Sequence, residues 1–166
     1  MKNVIEPAIT PEGSAGQKLN APRFGFSHIL AATDFSPNSD KAIDYAIQLA
    51  KRLGAKLTLL HIVPEPYVLD YPIEGISSEE IKGWRQAAEK RLAERFARAK
   101  LAYEEVESVK RLALHPRDEI VQAASDLSAD LLVISTHGYT GWKHLLFGSD
   151  AEIIIEHAVC PVLVVR

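Results

Sequence analysis

The segment from Ser135 to Ser149 contains residue types that proteins use to bind phosphate. It has glycines at positions 138, 141 and 148, and it runs into a predicted helix that begins at Ser149. Glycine lets the backbone approach a phosphate closely and adopts a positive φ at no steric cost. The free N–H groups at a helix start bind anions. The segment predicts a phosphate site, and the alternative is a plain loop in which Ser149 and Glu152 form a capping box.

Thr33 and Asp34 are the second candidate group. They follow the apolar run Ile29–Ala32, which is typical of a strand buried on both faces of a sheet. A carboxylate at the end of such a strand can accept hydrogen bonds from a ribose or a base. The alternative is that Asp34 only orders the loop before the helix that Ser36 and Pro37 predict.

The order of the predicted elements indicates how these two groups come together. Apolar runs near residues 29–32, 57–63, 106–114, 131–134 and 161–165 alternate with helical patterns near 37–53, 77–102, 116–127 and 149–157. This order requires a parallel sheet with helices on both faces. The first and fourth runs are the most apolar and belong in the centre, which predicts an α/β, doubly wound, five-stranded sheet of order 3-2-1-4-5. Ligands bind where the winding reverses, at the loops after Ala32 and Ile134.

The composition excludes several function classes. The chain has 166 residues and a net charge of −3, which suits one domain and argues against a nucleic-acid partner. No apolar run approaches the roughly 18 residues that span a membrane. Its single cysteine, Cys160, excludes an internal disulfide and a cysteine-based zinc site. No apolar stretch follows Lys2 as in a secretory signal, so we expect a cytoplasmic protein.

The first 27 residues differ from the rest in composition. They contain three prolines and three glycines, and their apolar residues follow no regular period. We expect residues 1–27 to form a leader that is flexible or packed on the surface, and residues 28–166 to form the domain.

From about Phe26 to Arg166, the chain resembles the universal stress protein domain. The resemblance rests on residues 29–36, 59–63, 135–149 and 157–165. Nucleotide-binding members carry Gly, two residues, Gly, nine residues, and then Gly-Ser or Gly-Thr. Gly138, the nine residues that follow it, and Gly148-Ser149 match this pattern, whereas Ser135 stands in place of the first glycine.

The resemblance implies that ATP or a related adenine nucleotide binds in the crevice, with Mg²⁺ as a candidate metal ion. It implies that Ala32 and Ile62 line the adenine pocket and that Asp34 faces the nucleoside beside Thr33. The residues expected at the ribose and phosphates are Ser135, Gly138, Gly148 and Ser149, with His137 and Asp150 as further candidates. Family members are usually homodimers and often pair through the last strand, so the resemblance implies pairing through Pro161 to Val165, with Pro161, Val162 and Val164 at the interface.

Ser135 and Asp150 depart from the family pattern. If its position requires a positive φ, Ser135 costs about 1–2 kcal/mol relative to glycine, and at an ordinary strand end it costs nothing. Asp150 stabilises a helix start by about 0.3–1 kcal/mol, but it repels a triphosphate unless Mg²⁺ lies between them. Asp150 therefore either takes the place of a phosphate or helps to hold the metal ion.

Three functions remain open at this point. The first is an adenine-nucleotide-binding stress-response or signalling protein with at most slow ATP hydrolysis, because no nucleophile–base pair or carboxylate dyad is visible. The second is a nucleotide-free dimeric interaction module of the same family, which Ser135 and Asp150 favour. The third is an adenylating or nucleotidyl-transfer enzyme, although the loop from Thr33 to Pro37 lacks the Ser-Gly-Gly or His-x-Gly-His sequence of such enzymes.

Overall fold

The computed structural model describes residues 25–64, 78–136 and 149–166. The strands in these ranges are β1 His28–Ala32, β2 Lys56–Pro64, β3 Val106–Ala113, β4 Leu131–Ser135 and β5 Val162–Val165. The helices are α1 Pro37–Leu53, α2 Ser78–Ala102, α3 Pro116–Asp126 and α4 Ser149–His157. Residues 1–24 of the predicted leader lie outside the described residues, so the boundary between leader and domain stays a prediction.

The strands form one parallel sheet in the order β3-β2-β1-β4-β5, which confirms the predicted topology. β1 lies in the centre, where its register pairs Ala31 with Leu59 of β2 and with Val133 of β4. Its residues from Ile29 to Ala32 are all buried. The continuous apolar runs thus mark strands that are covered on both faces.

Each face of the sheet has its own apolar core. Ile29 and Ala31 belong to the core that α1 and α2 cover. Leu30 and Ala32 belong to the core that α3 and α4 cover. Successive side chains of a strand point to opposite faces, so β1 contributes to both cores in turn. The helices that follow β1 and β4, α1 and α4, accordingly lie on opposite faces, so the winding of the sheet reverses between these two strands.

The local sequence explains where α1 begins and ends. The Ser36 hydroxyl accepts the N–H of Ser39 at 3.1 Å, and Pro37 occupies the first turn, where no N–H is needed. Gly54 adopts a left-handed φ of 66° and donates its N–H to the carbonyl of Ala50. These caps fix the start of α1 immediately after the carboxyl end of β1.

Some details differ from the sequence prediction. β3 ends at Ala113 rather than Leu114, and β5 begins at Val162 rather than Pro161. Pro161 has no N–H to donate, and its carbonyl accepts the N–H of Leu132 at 2.9 Å. Trp84, expected on the buried face of α2, is 52% exposed, because the buried side chains of this helix come only from Ala88 onward. No helix in the described parts of the chain is long and apolar enough to span a membrane.

Candidate functional site

The loop after β1 is tied to the sheet through Thr33. Its N–H donates to the carbonyl of Leu60 at 2.9 Å, which continues the ladder with β2. Its buried hydroxyl accepts the N–H of Phe35 at 3.0 Å and lies 3.0 Å from the hydroxyl of Ser39. The Thr33 hydroxyl therefore shapes the loop and the start of α1.

Asp34 is the exposed residue of this loop. Its Oδ1 accepts the N–H of Ser36 at 2.9 Å. The side chain therefore orders the loop before α1, which is the alternative role that the sequence indicates for it. Desolvation would raise the pKa of this carboxyl, but hydrogen bonds from Ser36 and Ser39 outweigh it and lower the pKa below its usual value. At neutral pH the loop after β1 therefore presents an ionised, exposed carboxylate that can accept hydrogen bonds from a ligand.

Phe35 adopts a left-handed backbone with φ of 66°, which is rare for a bulky residue. Its ring is 4% exposed and lies 4.0 Å from the ring of His61, centroid to centroid. On α2, the guanidinium groups of Arg91 and Arg95 lie 4.8 and 4.9 Å from the Phe35 centroid. The strained loop is thus packed between β2 and α2.

The two arginines also hold the backbone of the loop. Arg91 and Arg95 each donate an N–H to the carbonyl of Phe35 at 3.2 Å. Arg95 forms a bidentate ion pair with Asp40 of α1, with N–O distances of 2.7 and 2.9 Å. The sequence pattern does not distinguish these two residues, because they stand among alternating charges that are typical of a solvated helix face.

His61 lies beneath the loop at the end of β2. Its Nδ1–H donates to the carbonyl of Thr33 at 2.8 Å. Burial lowers the pKa of His61, and nearby Arg91 and Arg95 lower it further, against the opposing effects of the Thr33 hydrogen bond and the Asp34 charge. His61 is therefore a neutral donor that supports the loop from below at physiological pH.

At the opposite end of β1, His28 makes the same kind of hydrogen bond as His61, from a ring N–H to a backbone carbonyl. Its Nδ1–H donates to the carbonyl of Leu127 at 3.0 Å, and its Nε2 lies 2.8 Å from the hydroxyl of Thr58. Desolvation by burial lowers its pKa, despite the opposing effect of the Leu127 hydrogen bond. Both histidines thus bind protons more weakly in the folded chain than in the unfolded chain.

We predict that the free energy of unfolding decreases as the pH falls below about 6.5, the ordinary histidine pKa. Below that pH, His28 and His61 are more fully protonated in the unfolded chain than in the folded chain. The free energy of unfolding therefore rises with pH by at most about 1.4 kcal/mol per pH unit for each histidine. Urea titrations between about pH 5.5 and pH 8 measure this slope. His61→Gln should make this slope shallower, because only the contribution of His28 then remains. A profile that is level across this range in the wild type would contradict the prediction.

The second predicted loop leaves the sheet next to the first. β4 ends at the half-buried Ser135, and the N–H of Thr136 donates to the carbonyl of Val165 at 3.1 Å. Ser135 is thus the last residue of a regular strand. At an ordinary strand end, serine replaces glycine without a conformational cost. Predicted site residues His137, Gly138 and Gly148 lie outside the described residues. Ser149 is the first residue of α4.

The predicted apolar residues Ala32 and Ile62 are both buried at the carboxyl edge of the sheet. They lie on neighbouring strands, β1 and β2, in the core that α3 and α4 cover. The described part of the candidate site therefore has buried apolar side chains and, two residues after Ala32, an exposed carboxylate. That combination suits a ligand with a flat apolar group and polar hydroxyls.

Asp150, in the first turn of α4, is near a cation. Its Oδ1 lies 3.6 Å from Nη1 of Arg117, in the first turn of α3, and both side chains are partly or largely exposed. Within the described ranges, no group of three or more His, Cys, Asp or Glu residues is placed to hold a metal ion. The guanidinium offsets part of the negative charge that Asp150 adds to the start of α4.

Comparison with known proteins agrees with this architecture. Residues 25–166 match the universal stress protein family. A universal stress protein of Methanocaldococcus jannaschii is 36% identical over 147 residues, which cover 85% of this chain and 82% of that protein. The solved universal stress protein UspA of Lactobacillus plantarum shares the fold, with a TM-score of 0.76, 22% identity, and coverage of 86% of this chain and 99% of that chain.

A second solved structure is that of a universal stress protein in complex with cAMP. It superposes with a TM-score of 0.67 at 26% identity, and the match covers 86% of this chain and 98% of that chain. The family match spans both crevice loops and every strand of the sheet. The chain belongs to the universal stress protein family.

Proposed function

We propose that this chain binds an adenine nucleotide in the crevice between the loops after β1 and β4, and acts as a nucleotide-binding stress-response protein. The observation that carries the proposal is the exposed carboxylate of Asp34 at the point where the sheet winding reverses. Membership of a family that includes a cAMP complex supports the adenine base. In this proposal Asp34 accepts hydrogen bonds from the nucleoside, and Ala32 and Ile62 contact the base.

The phosphate end of the nucleotide would meet backbone N–H groups rather than a basic cluster. The proposed phosphate-binding residues are Ser135, His137, Gly138, Gly148 and Ser149. The start of α4 supports this, because the first N–H groups of a helix have no partner inside the helix. We propose ATP with Mg²⁺ as the ligand, since a metal ion would offset the repulsion between the phosphates and Asp150, which Arg117 already offsets in part.

Isothermal titration calorimetry tests the proposal. ATP, ADP, AMP and cAMP, each with and without Mg²⁺, are titrated into the full chain, with GTP as the control for the base. We expect saturable binding of adenine nucleotides and tighter binding of ATP when Mg²⁺ is present. No heat of binding at millimolar ligand would contradict nucleotide binding and favour the nucleotide-free interaction module.

We further propose a homodimer that pairs through β5, with Pro161, Val162 and Val164 at the interface. β5 is the last strand in the sheet order, and Val162 and Val164 are partly exposed. A half-exposed edge strand is a template for pairing with a second chain.

The single cysteine, Cys160, fits a cytoplasmic protein, where disulfides are rare.

Sedimentation velocity measures the assembly. We expect the wild type to sediment as a dimer and Val164→Lys to shift it toward the monomer, because a charge within the interface would lose its water. Leu112→Lys is the matched control, since Leu112 is exposed on β3 at the opposite edge of the sheet. A monomeric wild type, or equal dissociation by both variants, would count against pairing through β5.

A further inference from the structure

The β1–α1 loop, residues 33–36, is contacted by side chains that are distant in the sequence. Arg95 lies 55 positions after Asp40 and 60 after Phe35, yet it touches both. Arg91 lies one helical turn earlier and donates to the same carbonyl of Phe35. Through these contacts α2 holds the backbone of the loop that carries Asp34.

The loop needs support at this position. An L-residue in the left-handed region costs about 1–2 kcal/mol, so Phe35 keeps φ of 66° only because its surroundings impose it. Those surroundings are His61 against one part of the ring and the guanidinium groups of Arg91 and Arg95 against another. A cation near an aromatic ring adds about 0.5–2 kcal/mol of attraction.

The conformation of Phe35 bears directly on Asp34. The hydrogen bond from the Ser36 N–H to Asp34 Oδ1, at 2.9 Å, spans Phe35 and depends on how the backbone turns there. If Phe35 relaxes to a negative φ, that bond is lost and the carboxylate reorients. The direction of the Asp34 side chain is thus coupled to α2 through one intervening residue.

We infer that Arg95, assisted by Arg91, is a positioning residue for the nucleotide site: it acts through Phe35 to hold the Asp34 carboxylate in its binding orientation. This inference rests on the proposed function for the identity of the ligand. It adds that nucleotide affinity depends on α2. This helix covers one face of the sheet, whereas Ala32 and Ile62 belong to the core on the other face. Any change that lifts α2 from the loop would lower affinity.

The chain supplies a matched control. Arg98 of α2 pairs with Asp44 of α1 at 3.0 Å, so it joins the same two helices as the Arg95–Asp40 pair. Arg98 and Asp44 are both about half exposed, whereas the Arg95 side chain is largely buried. A general role in docking α2 on α1 would be shared by both arginines, and a positioning role would belong to Arg95 alone.

The test measures ATP affinity by calorimetry and the amide resonances of Asp34 and Ser36 by NMR in the ligand-free protein. We expect Arg95→Ala to weaken ATP binding about 3- to 10-fold and to shift both resonances. Arg98→Ala should change neither. Arg95→Lys keeps the charge but loses the planar fork, so its affinity should fall between those of the wild type and Arg95→Ala.

The outcomes separate this inference from the proposed function. If Arg95→Ala binds ATP as the wild type does with unshifted resonances, or if Arg98→Ala has an equal effect, the positioning role is overturned. If the wild type binds no adenine nucleotide, the proposed function fails, and the NMR shifts still decide whether Arg95 holds the loop. Urea unfolding of each variant identifies one that is merely unfolded, in which case Arg95→Lys carries the test.

Discussion

Phe35→Ala should lower the free energy of unfolding by about 3–5 kcal/mol, the largest effect that we expect from a single change near the crevice. The ring is 4% exposed, and it packs against His61 and against the guanidinium groups of Arg91 and Arg95. Removing the ring leaves a cavity and also removes the aromatic group that both guanidinium groups contact. Urea unfolding followed by circular dichroism measures the change.

Phe35→Gly should be less destabilising than Phe35→Ala, which reverses the usual ranking of the two residues. Glycine leaves the same cavity, but it adopts a positive φ freely, whereas alanine keeps most of the 1–2 kcal/mol cost of the left-handed region. The two variants therefore separate the packing of the ring from the strain of the backbone. An alanine variant as stable as the glycine variant, or more so, would show that Phe35 is not held in the left-handed region in solution.

Asp34→Asn should weaken adenine-nucleotide binding about 10- to 150-fold, because a hydrogen bond to a charged group contributes about 1.5–3 kcal/mol. Asparagine keeps a side-chain oxygen that can accept the Ser36 N–H, so the loop should retain its conformation. The lost affinity then reports on the charge that faces the ligand. Calorimetric titration with ATP measures it, and urea unfolding measures stability in parallel.

Asp44→Asn is the matched control for Asp34→Asn. Asp44 is an exposed carboxylate on α1 that pairs with Arg98, and its removal changes the net charge by the same amount. We expect it to leave nucleotide affinity unchanged. Equal affinity in the wild type and Asp34→Asn would remove Asp34 from the binding site and leave it only its role in ordering the loop.

The arrangement of the sheet could be predicted from the sequence because it depends on patterns that are local in the chain. Ile29–Ala32 and Leu131–Ile134 are continuous apolar runs, and only a strand covered on both faces can bury them fully. Ser36 marks the start of α1 through a hydrogen bond that reaches three residues, and Pro37 marks it through a fixed φ that suits the first turn. Right-handed crossovers then leave few possible topologies, and the central place of β1 follows.

The sequence was less informative about side chains whose partners are far away. Trp84 fits the apolar period of α2, but the pattern does not say which turns of a 25-residue helix reach the core. The sequence predicts that Asp150 takes the place of a phosphate or helps to hold a metal ion, and it does not indicate the neighbour that the fold provides, Arg117 on another helix. Such a pairing depends on how α3 and α4 lie on the sheet, which neither helix determines alone.

The sequence by itself therefore determined the order of the strands, the point in the sheet where the winding reverses, and the place of Asp34 directly after β1. Only the tertiary structure decided that Phe35 is held in a left-handed conformation. It also decided that Arg91 and Arg95, among the charged residues of α2, donate to the Phe35 carbonyl. The physical reason is the range of the interactions. Apolar periodicity and helix caps act within a few residues, whereas a guanidinium bonds to whatever carbonyl, carboxylate or ring the packing of two distant helices brings near it.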